Sequence, residues 1–276
     1  MLQIRNEFGT LRELIACDPS NFEIGHPINP TQEYSFEHTP PQRKQLVFEH
    51  GVFLKVLQDI GIEIRYLGPI QGCPYQMFTR DVGFVVGNDL YVSQMMSEWR
   101  QSETSALAAL ARSEGWQMRQ FRNGPIEGGD IVVGGGEVYV GVSSRTSWES
   151  CCELAHRLQG RFEVIPVRLA EKILHLDTVL ALPCEGLALA YLPGMPDGVP
   201  RSLVGHSIIE VNMNEAITLG TNVLSVSPKC IISQERHDRI NRLLSANGLD
   251  VIPVPMDEIT KLGGGPRCCT LPIDRA

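Results

Sequence analysis

Short apolar segments rich in β-branched residues recur along the chain, each opened by glycine or a polar residue and followed by proline, asparagine or a charge. Five copies begin at Gly61, Gly115, Arg161, His206 and Gly248, with 54, 46, 45 and 42 residues between successive starts. That spacing is an internal repeat. Between the copies lie hairpin patterns with turn-forming centres: Phe84–Val86 with Leu90–Val92, Ile131–Val133 with Val138–Val140, Val179–Leu182 with Leu187–Ala190, and Val223–Val226 with Cys230–Ile232. A fifth hairpin closes only if Thr270–Ile273 pairs with Leu11–Ala16, joining the two ends. Apolar residues at three- and four-residue spacing predict helices over 41–59, 102–113, 146–159 and 234–246. The fourth unit has Leu192-Pro193-Gly194-Met195-Pro196 instead, so its helix is expected to be short or lost. Five ββαβ units in a ring predict an α/β propeller-like fold, one domain over 1–276, with functional groups at the mouth of a central channel.

Composition narrows the class of protein. With 43% hydrophobic and 20% charged residues, the 276-residue chain can bury a full core. A net charge of −8 gives no basic footprint for nucleic acid, and no apolar window is long enough to cross a membrane. The N-terminus lacks the pattern of a secretory signal, so a cytoplasmic location and a small-molecule partner are expected. A homo-oligomer is compatible with these features. Eight cysteines fall in two adjacent pairs and otherwise wide gaps, which fits reduced thiols rather than a disulfide framework or a zinc site.

Candidate chemistry sits where the hairpins begin. Gly263-Gly264-Gly265-Pro266-Arg267-Cys268-Cys269 is a flexible loop ending in thiols, and Cys268 reads as a nucleophile. A lone cysteine is more often a small buried hydrophobe, so the reading depends on its companions. Phe78-Thr79-Arg80-Asp81 places an aspartate at a strand entrance. Glu127-Gly128-Gly129-Asp130 places two carboxylates around glycines that admit a close approach. In Leu174-His175-Leu176-Asp177, strand alternation would put His175 and Asp177 on one face. Taken singly, each has a bland reading as a turn, cap or core residue; the propeller brings their lips together.

These motifs, with Gly220-Thr221-Asn222-Val223 between the last two, resemble in order the guanidine-modifying superfamily of arginine and agmatine deiminases, dimethylarginine dimethylaminohydrolase and amidinotransferases. The resemblance covers nearly the whole chain and implies a five-bladed α/β propeller, the pentein fold. It implies Cys268 as nucleophile, His175 as general acid then base, and Glu127 as the carboxylate that polarises the guanidinium. Asp81, Asp177 and Asp130 would bind substrate, and Arg145 and Arg100 match positions that hold a substrate carboxylate in relatives. No metal and no cofactor are implied.

Length and the Cys268-Cys269 pair are similar to dimethylarginine hydrolases, while Asp81 and Asp177 resemble a deiminase pocket. Hydrolysis at the guanidino carbon of arginine or a methylated arginine is therefore expected, with citrulline and ammonia or an alkylamine as products. Amidino transfer to an amine is the alternative. A metal-dependent ureohydrolase using His175, Asp81, Asp130 and Asp177 and a non-catalytic propeller module are the remaining readings.

Overall fold

A computed structural model describes residues 1–276. Strand β1 (Leu11–Cys17) is followed by helices α1 (Pro30–His38) and α2 (Arg43–Asp59) and strand β2 (Glu63–Leu67), which runs parallel to β1. Next come β3 (Gly83–Val86), β4 (Asp89–Val92), α3 (Thr104–Ser113) and β5 (Met118–Gln120). The third unit is β6 (Ile131–Val133), β7 (Glu137–Val142), α4 (Trp148–Leu158) and β8 (Glu163–Arg168). The fourth is β9 (Leu180–Cys184), β10 (Leu187–Ala190) and β11 (Ser207–Glu210), followed by a short α5 (Met213–Ile217). Last are β12 (Leu224–Ser227), β13 (Cys230–Gln234), α6 (Asp238–Ala246), β14 (Asp250–Val254), α7 (Asp257–Thr260) and β15 (Leu271–Arg275).

The strands form five separate three-stranded sheets. Every sheet has an antiparallel hairpin whose inner strand also carries a parallel third strand, and β15 pairs with β1 to make the fifth. All five expected hairpins form. Glycine at positive φ makes the bend possible at Gly87, between β3 and β4.

Burial explains the shared sequence pattern. The middle strands β4, β7, β10 and β13 are largely buried, whereas β2, β8 and β14 repeat one outer-edge rhythm of exposed, half-buried, half-buried, exposed and buried positions. Pro166 and Pro253 lie on such edge strands, where a missing N–H costs little. Apolar residues from adjacent units, such as Val86, Val138 and Leu154, pack together, and so do Leu14, Phe53, Ile232 and Ile259. The fourth unit has only 3-10 turns at Leu192–Gly194 and Arg201–Leu203 between β10 and β11, in line with its prolines.

One local expectation changes, and one helix was not foreseen. His175 and Asp177 do not share a strand face: His175 is extended, and Leu176–Thr178 is a 3-10 turn that swings Asp177 in another direction. Alternation over four residues cannot distinguish these conformations. Helix α1 carries no apolar stripe, its buried residues being Gln32 and Ser35, so hydrophobic periodicity gives no sign of it. Its start is set instead by Asn29, which accepts the Gln32 N–H at 2.9 Å, and by Pro30 in the first turn.

Candidate active site

The loop that carries Cys268 is held by side chains that fit where its glycines leave room. A Cβ at Gly264 would stand 2.1 Å from the Phe78 ring, and one at Gly265 would stand 2.9 Å from Asn222 Oδ1. That oxygen accepts the backbone N–H groups of both Arg267 and Cys268 at 3.1 Å, while Asn222 Nδ2 lies 3.1 Å from Cys268 Sγ. Arg80 N–H donates to the Cys268 carbonyl at 3.1 Å, tying the FTRD motif to the same turn. Three residues before Asn222, Leu219 has φ +60, the one non-glycine residue in the left-handed region. Asn222 was not among the expected site residues; only its short motif was visible.

Around the thiol the structure gathers Asp81, Glu127, His175 and Asp177, all at most 4% exposed, with Cys268 at 3%. His175 Nε2 is 2.9 Å from Glu127 Oε2, and Nδ1 is 3.5 Å from Asp81 Oδ1. Asp177 Oδ2 lies 3.6 Å from Cys268 Sγ. The glycines of the EGGD motif make this packing possible. A Cβ at Gly129 would fall 2.5 Å from His175 Nδ1 and 2.7 Å from Asp81 Oδ1. Gly129 thus admits neighbouring side chains and Gly128 the main chain at Arg80 and Gly83, rather than leaving open space for a ligand.

Asp130 differs from the expectation that it binds substrate. Its Oδ1 accepts the Leu176 N–H at 2.9 Å and its Oδ2 the Ser143 hydroxyl at 2.9 Å, so it braces the loop carrying His175. Arg100 differs as well. Expected to hold a substrate carboxylate, it is 2% exposed and donates to Glu103 and, at 2.5 Å, to Asp81 Oδ2. Its 3-10 turn, Glu98–Glu103, folds the guanidinium inward. Arg145 does border the cluster, with Nη1 3.5 Å from Glu127 Oε1 and Nη2 donating to the Ile28 carbonyl at 2.5 Å.

Charge is strongly organised here. Burial disfavours an imidazolium, but Asp81, Glu127 and Asp130 outweigh it and raise His175 to about 9. Burial likewise opposes ionisation of Glu127, yet His175, Arg145 and Arg100 bring it down to about 2. Asp130 is pushed up to about 7 by burial, against the opposing effects of His175 and its hydrogen bonds. Burial, then the charges of Asp177 and Asp81, drive the Cys268 thiol well above its ordinary value. Asp81 Oδ1 and Asp177 Oδ1 are buried with no hydrogen-bond partner. Buried acceptors of this kind are costly unless a donor or cation fills them. Asp81, Glu127 and His175 are close enough, with ligand atoms within 4.8 Å, to face a metal ion. Both imidazole nitrogens already face carboxylates, and a raised proton affinity competes with ligation, so the donor set suits an organic cation better.

A cavity of about 850 Å³ adjoins the cluster without including it. Its wall includes Leu174, Thr178 and Gly263, which neighbour the functional residues in sequence, and Asn29 and Tyr34.

Residues 18–275 match the family model described as N,N dimethylarginine dimethylhydrolase, eukaryotic. The uncharacterized protein YkgA of Bacillus subtilis (strain 168) is 37% identical over 272 residues, 98% of this chain and 94% of its own length. Among solved structures, the N-terminal domain of ArgZ, an arginine dihydrolase from the ornithine-ammonia cycle in cyanobacteria, aligns with a TM-score of 0.84. It is 22% identical, over 95% of this chain and 98% of that one. SxtG, an amidinotransferase from Microseira wollei, aligns with a TM-score of 0.86 at 18% identity, over 99% of this chain and 97% of its own. The last two likenesses show a common fold. By its sequence and by that fold, the chain belongs to the dimethylarginine dimethylhydrolase family of the guanidine-modifying superfamily.

Proposed function

We propose that this protein is a cysteine-dependent hydrolase of the guanidino group of arginine or a substituted arginine, built as one five-bladed α/β propeller domain. The observation that carries the reading is the pair of buried, unpartnered oxygens, Asp81 Oδ1 and Asp177 Oδ1, in the cluster that holds Cys268. A planar guanidinium has N–H groups on its edges that match such acceptors. Two such acceptors favour an unmethylated guanidinium, because a dimethylated nitrogen has no N–H to give and would leave an acceptor unpaired at about 1–3 kcal/mol.

In the free protein the thiol stays protonated, since burial and two aspartates oppose a thiolate. A bound guanidinium supplies the missing positive charge, and the thiol proton leaves to solvent as the cation enters. Thiolate attack then forms an S–C bond to the guanidino carbon. His175, charged below about 9, donates a proton to the departing amine as the C–N bond breaks, leaving a covalent S-alkylthiouronium. Neutral His175 takes a proton from water, the new C–O bond forms, and the C–S bond breaks, with the proton left on the ureido group returning to the sulfur as the product is released. Glu127 holds the imidazole throughout.

Water rather than an amine is the final acceptor in this reading because the reacting groups are almost wholly enclosed. The test offers arginine, monomethylarginine, dimethylarginine and agmatine in parallel, with ureido product, ammonia and methylamines quantified. Citrulline and ammonia from arginine are expected. Turnover only with an added amine would make the protein an amidinotransferase, and activity lost to chelator but not to thiol alkylation would make it a metallohydrolase.

A further inference from the structure

Two arginines that the reaction does not consume are placed in the same way. Arg100 donates from Nε and Nη2 to Glu103 at 3.0 and 2.8 Å, and from Nη1 to Asp81 Oδ2 at 2.5 Å. Arg267 donates from Nε and Nη2 to Glu7 at 3.3 and 3.0 Å, and from Nη1 to Asp177 Oδ2 at 2.7 Å. Each Nη2 also reaches main-chain carbonyl oxygen: Phe78 at 3.2 Å for Arg100, and Ile131 at 2.7 Å for Arg267. In two unrelated stretches of chain, each arginine thus gives Nε and Nη2 to a glutamate and Nη1 to an aspartate, although Arg100 meets a single oxygen of Glu103 and Arg267 meets both oxygens of Glu7. In both cases the aspartate's Oδ2 is taken and its buried Oδ1 makes no hydrogen bond, although Asp81 Oδ1 faces His175 Nδ1 at 3.5 Å.

An unpaired buried acceptor is destabilising, and of the three such carboxylate oxygens in these ion pairs Glu103 Oε1 lies behind Arg100, whereas Asp81 Oδ1 and Asp177 Oδ1 belong to the cluster around Cys268. We propose that Glu103–Arg100–Asp81 and Glu7–Arg267–Asp177 are two matching positioning relays, in which each arginine occupies one aspartate oxygen and presents the other to a planar guanidinium. The glutamates stop the arginines from swinging across to both oxygens. The relays flank the site from the Glu98–Glu103 turn on one side and the nucleophile loop on the other. Because Arg267 directly precedes Cys268, one relay also fixes the register between acceptor and thiol. This inference rests on the guanidino reading above and gives Arg100 a place behind Asp81 instead of at a substrate carboxylate.

The test compares Arg100→Lys and Arg267→Lys with the wild type. Lysine keeps the charge but cannot bridge glutamate and aspartate with a rigid fork. For each, KM and kcat on arginine are measured beside the rate of Cys268 alkylation by iodoacetamide across about pH 6 to 10. A rise in KM of about 10- to 100-fold is expected, with a smaller change in kcat, because the acceptors bind the cation before chemistry begins. The alkylation profile should move up by about one pH unit, since the aspartate beside the thiol is less neutralised. Folded variants with wild-type KM and superimposable alkylation profiles would overturn the proposal. Should the wild type turn over no guanidino compound, the functional reading fails, and the alkylation profiles alone decide the relays. Glu103→Gln provides the same comparison if either lysine variant does not fold: an unchanged KM and profile there would also count against it.

Discussion

Cys268 and Cys269 are both buried in one apolar cluster but differ in their polar neighbours. Cys268 Sγ also meets Asn222 Nδ2 at 3.1 Å and Asp177 Oδ2 at 3.6 Å. Cys268→Ser is expected to abolish ureido formation, with Cys269→Ser retaining it; the reverse result in the citrulline assay would place the nucleophile at the other sulfur. Gly129 offers a sharper steric test. Its missing Cβ is the space taken by His175 and Asp81, so Gly129→Ala should lower kcat/KM by about 100-fold or more through misplacement of the imidazole. Far-UV circular dichroism should remain native, because the clash is with side chains. Cys268, His175, Glu127 and Asn222 all stood in short motifs of the sequence. The motif gave Asn222 no role, since an asparagine becomes a thiol partner only when a residue 46 positions away is folded against it. Arg100 and Asp130 were visible as charges, but their inward direction depends on a 3-10 turn and a loop that no local periodicity encodes.

At the scale of elements, the hairpins and outer strands were legible because period-two apolar runs and turn residues are local features. The helices α2, α3, α4 and α6 were legible for the corresponding reason at the helical period. Helix α1 was not, since its attachment is polar: Gln32 and Asn29 side chains both donate to the Leu262 carbonyl, at 3.0 and 3.2 Å. Asn29 therefore caps its own helix and anchors it beside the glycines of the nucleophile loop. Asn29→Ala should destabilise the helix by about 1 kcal/mol and raise proteolytic cleavage within 30–38, read by limited proteolysis and mass spectrometry. Equal cleavage of both proteins would show that the cap is redundant.

Across the whole molecule, the five sheets surround charges contributed from both ends of the sequence. Burial alone would raise Glu7, but Arg267, Arg80 and Arg275 bring it down from 4.5 to about 2. A depressed carboxyl contributes stability above its unfolded value and loses it as pH falls through the folded one. Glu7 therefore stabilises the protein fully above about pH 4.5 and progressively less toward pH 2, by an amount on the order of 3 kcal/mol. Glu127, depressed in the same way, acts over the same window. Glu7→Gln should be less stable at neutral pH and show a shallower acid dependence of urea unfolding between about pH 4.5 and 2. Parallel curves for the two proteins would remove Glu7 from the acid response. No sequence pattern joined Glu7 to Arg267, which lie 260 residues apart; the tertiary fold creates the pair.

The pairing of β15 with β1 also sets when the chemistry can start. A ribosome that has translated as far as Val254 has made the complete sheets of the second to fifth units, together with Glu127 and His175, but has not reached Cys268. On the guanidino reading, the nascent chain at that point would carry Glu127, His175 and the acceptor carboxylates without the proposed nucleophile. The site would then be completed only when the first strand receives its last partner.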